Sequence, residues 1–187
     1  MSTNSINVNN TSFLSGSHFD FNVTGYPNIN FTVQSCNLPA VQNSPRAIPT
    51  PFGDTHISGD KLQYQTLDIS FIIDETLNNY REIYNWIRAL APTNALEEGL
   101  INNQYVTYTN PLYTVGNLFI LTNSLHINIT ATFHNLFPIS LSNLDFSVKD
   151  TDDRKLIANV SFAYDYYDLQ VNSTYNPNGY VPDNIIK

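Results

Sequence analysis

A chain of 187 residues with 42% hydrophobic side chains is long enough to bury one real core without disulfides or metal. Its 13% aromatic content excludes a disordered chain, and its few Lys, Glu and Ala exclude a coiled coil. Charged residues reach only 13%, with a net charge of −8, and the longest basic grouping is Arg154-Lys155, directly after Asp152-Asp153; gripping nucleic acid or an anionic membrane surface is therefore not expected.

Neutral polar residues replace the missing charge, including 26 asparagines. Residues 1–17 read as a polar N-terminal arm with no basic n-region and no apolar h-region, so synthesis and assembly inside a cell are expected. From His18 the pattern turns β-like. Phe19, Phe21 and Val23 alternate with Asp20, Asn22 and Thr24. Gly25-Tyr-Pro-Asn28 reads as a turn before Ile29 to Cys36, which predicts a hairpin with a four-residue loop. Cys36 stands alone and reads as a small core residue. From Leu38 to Lys61 periodicity stops, and Pro39, Pro45, Pro49, Pro51, Gly53 and Gly59 take over. So long a connection is either mobile or functional.

Leu62 to Ile73 predicts a strand with Leu67, Ile69, Phe71 and Ile73 on one face. Asp74-Glu75-Thr76 reads as a helix start, and a helix over Glu75–Ala91 follows. Leu77, Tyr80, Ile83, Tyr84, Ile87 and Leu90 supply its apolar side, so Tyr84 and Ile87 are expected inside. Its polar side carries Asn78, Arg81, Glu82, Asn85 and Arg88. Residues 94–116 give only a helical turn near Ala95–Leu100 and a break at Asn110-Pro111. Leu118–Leu121 is a strand, and Leu125, Ile127, Ile129, Ala131 and Phe133 alternate strictly with polar residues. Phe137-Pro138 reads as a turn, Leu144–Val148 as a short strand, and Lys149–Lys155 as an exposed turn. A last strand runs from Leu156 to about Val171, and 172–187 is a polar tail. These elements imply a mainly β domain over 18–171, a two-sheet antiparallel sandwich or half-barrel with one flanking helix.

No catalytic constellation emerges. The chain has no Gly-rich phosphate loop and no Gly-x-Ser-x-Gly elbow. His126 and His134 share the polar face of one strand at a spacing too wide for a metal pair, and His18 and His56 stand at segment edges. Asp150, Asp152 and Asp153 lack the Gly and distal Glu of a calcium loop. Tyr164, Tyr166 and Tyr167 have no basic neighbours, so packing or subunit contact explains them better than a nucleic-acid platform. No cofactor is implied.

Four stretches carry a resemblance. Gly59–Ile87, with its strand-to-helix sequence Leu67-Asp-Ile-Ser-Phe-Ile-Ile-Asp-Glu-Thr76, is similar to the core of tail tube proteins from contractile-tailed bacteriophages. Phe137–Ser147 and Ser161–Leu169 resemble that family's last two strands, and Phe21–Pro39 its opening hairpin. The resemblance covers about 20–90 and 115–171. It implies a structural virion protein of the phage tail, assembled in the host cytoplasm, whose hexameric rings stack into the inner tube. Implied partners are further copies of the chain, a tail sheath protein outside, a tape measure protein and transiting DNA inside, and baseplate and tail terminator proteins at the ends. Neither stable DNA binding nor membrane insertion belongs to that role. A baseplate tube initiator and the inner tube of a phage-like injection machine fit the same residues. A carbohydrate-binding β-sandwich is the alternative of a different class. By position, the segment Pro45–Asp60 matches an extended loop that reaches a neighbouring subunit in this family. Pro45, Arg46, Pro49, Pro51 and the Phe52-Gly53 step are its candidate contact residues. Such a loop is expected to be ordered in the stack and poorly ordered in a free subunit.

Overall fold

A computed structural model describes residues 13–30, 32–91, 111–147 and 155–171. In chain order the elements are β1 (Phe19–Val23), α1 (Pro27–Asn30), β2 (Val33–Cys36), β3 (Val41–Asn43), β4 (Arg46–Thr50), β5 (Gly53–Ile57) and β6 (Leu62–Tyr64). Then come β7 (Leu67–Ile72), α2 (Asn78–Leu90), β8 (Thr114–Leu121), β9 (Ile127–Leu141), β10 (Ile157–Ala163) and β11 (Tyr166–Val171).

All ladders are antiparallel, and β9 organises them. Its first part pairs β8 on one side and β11 on the other, and β1 pairs the far side of β8. Its last residues pair β10, which continues through β7 to β2. One 15-residue strand thus belongs to two sheets, β1-β8-β9-β11 and β9-β10-β7-β2. Their inner faces enclose a single core that includes Phe21, Phe71, Phe133 and Phe162, with Ile83 and Trp86 entering from α2. The expected two-sheet antiparallel fold with a flanking helix is the fold observed.

A bend lets β9 serve both sheets. Asn135 takes the left-handed conformation (φ 54), which Asn tolerates better than most residues. Across it the buried set changes from Ala131 and Phe133 to Leu136 and Pro138, so the alternation changes phase. The expected turn at Phe137-Pro138 is therefore corrected to strand. Pro138 sits opposite Phe162 where the ladder slips register, a place where a missing N–H is tolerated. Leu125 lies outside the strand, at φ 61 and exposed.

Other expectations change as well. β1 and β2 do not form a hairpin: β1 pairs β8 and β2 pairs β7. Between them Pro27 opens the one-turn α1, where its fixed φ is suited to a first helical position, and Ile29 is fully buried. β8 begins at Thr114, before Gly116. A Cβ at Gly116 would stand 2.6 Å from a Leu136 methyl, so any larger residue would force the buried Leu136 side chain to shift. Residues 142–147 have no regular structure, and the last strand is two strands, broken at Tyr164-Asp165. The helical turn near Ala95–Leu100 and the 149–154 turn lie outside the described residues, as do 1–12 and 172–187.

Helix α2 starts at Asn78, later than Asp74-Glu75-Thr76 suggests. Those side chains bond one another: Thr76 donates to Asp74 and Asn78 to Thr76. Leu77 precedes the helix in a left-handed conformation and is exposed. The helix is anchored by Asn79, 1% exposed. Asn79 Nδ2 donates to Ile72 O (2.8 Å) and Thr32 Oγ1 (3.2 Å), while its Oδ1 accepts from the N–H groups of Asp74 and Tyr80. The buried line is Asn79, Ile83, Trp86 and Ala89, with Ile87 packed at its margin; Tyr84, expected inside, is exposed.

Candidate assembly interface

The aperiodic segment 38–61 folds as a ribbon. β3 pairs β6, and beyond them β4 pairs β5 from Arg46↔Ile57 to Thr50↔Gly53. Pro51 and Phe52 form the two-residue tip, closed by Thr50 Oγ1 donating to Gly53 O. Pro45 lies in the connector before β4, Arg46 and Pro49 lie on β4, and Gly53 opens β5. Every residue of β4 and β5 is exposed, and Phe52 is entirely so. Cross-strand register puts Arg46, Ile48 and Ile57 on one face, and His56 and Asp54 on the other. Where the ribbon narrows, a Cβ at Gly59 would stand 2.0 Å from Ser44 O.

An isolated two-stranded hairpin is marginally stable in water, so its root must be held. Tyrosines at the β10–β11 junction hold it here. Tyr164 donates to Gln65 O (2.8 Å) and Tyr167 to Pro39 O (3.1 Å). Tyr64 joins them in an aromatic cluster, its ring 6.0 Å from Tyr164 and 5.7 Å from Tyr167. Burial beside the other two phenols pushes the Tyr164 hydroxyl up to about 12. The expected packing role fits Tyr164 and Tyr167; Tyr166 instead points outward and stacks on His134 at 4.5 Å.

Among the described residues, the sheet β1-β8-β9-β11 ends in two strands with an unpaired edge, β1 and β11. Tyr166, Leu169 and Val171 on β11 are exposed apolar residues. Away from the core this sheet presents Asp20, Asn22, Asn117, Thr132, Asp168 and Gln170, with Phe119 beside Asp20 and Tyr166 beside His134. Thr132 donates to Asn117 (3.0 Å), and His134 Nε2 lies 3.1 Å from Asp168 Oδ2. No lysine or arginine occurs on these four strands. The second sheet's outer face is also polar: Ser161 donates to Asp68 and Ser70 to Asn159.

No site for chemistry forms around the histidines. His134 meets one carboxylate and no nucleophile, and among the described residues no three His, Cys, Asp or Glu side chains group to hold a metal ion. Burial and the Asp68 charge push the Cys36 thiol up to about 12, so it is unreactive at neutral pH. The sequence pattern did not reveal the ribbon strands or their tyrosine anchors; the Tyr run was the available signal.

Comparison with known proteins gives these features a setting. The profile of the family described as phage tail tube protein matches residues 3–170. The tail tube terminator protein of Enterobacteria phage T4 is 27% identical over 127 residues, spanning 65% of this chain and 65% of that protein's length. The tube-terminating cap of the anti-feeding prophage superimposes with a TM-score of 0.61, at 12% identity over 92% of this chain and all of the other. A chain of the sheath–tube complex of the PVC extracellular contractile injection system does so at 0.53, with 14% identity over 92% and 99% of the two chains. At these identities the structural likeness is one of fold.

Proposed function

The chain belongs to the phage tail tube protein family and is a structural protein of the tail, not an enzyme; from that premise we propose that it closes into a ring at the end of the tube, as a tube terminator. The observation that carries ring closure is the β1-β8-β9-β11 sheet, open at both edges among the described residues. Unpaired edges are an association hazard in a monomer, and head-to-tail pairing of β11 with the next copy's β1 removes both at once. Hexameric closure is the form that the family resemblance implies. The relation to the T4 terminator favours the tube end over the repeated subunit.

In such a ring the outer face of that sheet lines the bore. Asp20 and Asp168 among amides, hydroxyls and the rings of Phe119 and Tyr166, without lysine or arginine on these strands, give a wall past which DNA slides without adhering. The ribbon, with Pro49, Pro51, Phe52 and Gly53 toward its tip and Arg46 at the base of β4, reaches a neighbouring subunit or the ring below. Sheath, tape measure and baseplate proteins remain partners of the assembled tube rather than of this chain in isolation.

Negative-stain imaging tests the proposal. Purified protein should form rings, and added to growing tubes of the cognate subunit it should sit at their ends and stop elongation. Long filaments of this chain alone would make it the repeated subunit instead. A monomer that binds saccharides would return the carbohydrate-binding reading.

A further inference from the structure

Exposed apolar side chains collect at one end of the β1-β8-β9-β11 sheet. The line Phe19–Ile120–Ile129–Val171, paired residue to residue, marks that end. Phe13 and Leu14 precede β1 there, and Leu125 and Ile127 lie where the chain turns into β9. Leu169 and Val171 close β11. All six are exposed, Phe13 at 89% and Val171 at 66%. Their positions are held: Ser15 and Ser17 bond each other (2.8 Å) in the turn before β1, and His18 O accepts from Leu121 N (3.0 Å). Large apolar groups gathered at one surface mark a contact.

The ladders fix the directions of the strands. Each strand of this sheet is antiparallel to the next, so β11 runs opposite to β1 and its last residue lies level with the first residue of β1. In a ring closed by rotation, the next copy's β1 keeps the direction of this one. The closing pair is therefore antiparallel too. Any register that pairs the two strands along most of their length brings the next copy's Phe13 and Leu14 to the end of β11. Both edges are short, five residues in β1 and six in β11. Their main-chain bonds alone bury far less than the roughly 800 Å² per partner of a stable interface. Closure needs added apolar area, and this end of the sheet supplies it.

Building on the ring reading above, we propose that Phe13 and Leu14 of one copy seat against Leu169 and Val171 of the next, an apolar clasp that closes the ring sideways. Ile127 and Leu125 extend the seat. The ribbon is rooted at the other end of β11, where Tyr167 holds Pro39. At ~3.3 Å per residue, Tyr166 and Val171 stand roughly 17 Å apart. Sideways closure and stacking thus use opposite ends of one sheet.

Full-length variants test the clasp by sedimentation and negative-stain imaging. Phe13→Asp and Val171→Asp, both at exposed positions, should keep the wild-type melt and raise the concentration at which rings appear at least tenfold. Leu14→Cys combined with Val171→Cys should, on oxidation, give a ladder of covalent multimers on a non-reducing gel. Each single cysteine variant, and the parent with Cys36 as its one thiol, should stay monomeric on that gel. Rings at unchanged concentration from both aspartate variants would overturn the clasp and leave ring closure standing. Covalent dimers from either single variant would also overturn it, because they require a two-fold contact. Wild-type protein that stays monomeric at every concentration would overturn the clasp together with the ring.

Discussion

The Tyr167 hydroxyl donates to the Pro39 carbonyl at 3.1 Å, tying the final strand to the residue where the chain leaves the core for the ribbon. Tyr164 makes the matching bond on the return side, to Gln65. The ribbon's direction is thus set by residues far away in sequence.

Tyr167→Phe keeps the ring and removes this bond. A single neutral hydrogen bond is worth ~1 kcal/mol, so the subunit should stay folded with a slightly lower Tm. The sharper readout is local: amide exchange over 40–65 should quicken more than exchange in β9. Uniform change across both would show that the bond only supports the fold as a whole.

Helix α2 gives a paired prediction. Asn79→Ala removes the partner of the half-buried Ile72 carbonyl, at ~1–3 kcal/mol, and that of the Asp74 N–H, which water can replace because Asp74 is exposed. Ile83→Ala, in the same buried line, should cost about 2–5 kcal/mol. Tyr84→Asp, on the exposed face, should alter stability far less. Denaturant midpoints of the three variants test this ranking.

Glu82 makes stability pH-dependent with a definite sign. Its pKa is raised in the folded state, so the native protein holds the proton longer than the unfolded chain. Its effect is therefore a loss of stability as pH rises from the unfolded value of ~4.3 through the raised folded value. Glu82→Gln removes the buried charge and should raise Tm at pH 7, with little change at pH 4. A Tm gain of equal size at both pH values would refute this assignment.

Deleting Pro49–Asp54 should leave a cooperatively folding subunit, because β4, β5 and their tip contribute nothing to the core. The same deletion should abolish stacking or end-capping. Normal assembly from the deletion, seen by electron microscopy, would reduce the ribbon to a tolerated surface feature.

Assembled rings should show no measurable affinity for double-stranded DNA at ~50 mM salt. Each phosphate contact adds roughly −0.9 to the slope of log K against log salt, so even a few contacts would be conspicuous there. Binding at ~50 mM that disappears by ~200 mM would contradict a bore lined by the face carrying Asp20 and Asp168.

Strands with one buried face were legible in the sequence. Leu67, Ile69 and Phe71, or Ala158, Val160 and Phe162, alternate because the core selects every second residue. Partners were not legible, since alternation is the same whether Phe21 faces a neighbour across a hairpin or Leu118 across the sheet. The ribbon left no pattern because both its faces meet solvent, and its prolines read as loop. At Asn135 one left-handed residue reversed the phase, and Pro138 then looked like a turn. On α2, Tyr84 and Trp86 are large aromatics on nearly opposite sides of the helix, with Ile83 between them, and only the position of the sheet decides which is covered.

The pairing of Phe19 with Ile120 has a consequence for how the chain is made. As the polypeptide leaves the ribosome, β1 waits with Phe21 and Val23 uncovered until some hundred further residues have emerged. β9 must follow β8 before β11 has anything to dock on, and β10 then fills the place between β7 and β9. Productive closure is therefore late and rich in distant contacts, a topology that folds slowly and leaves strand edges open meanwhile. Yield on overexpression should consequently depend on temperature and synthesis rate more than on the stability of the finished subunit.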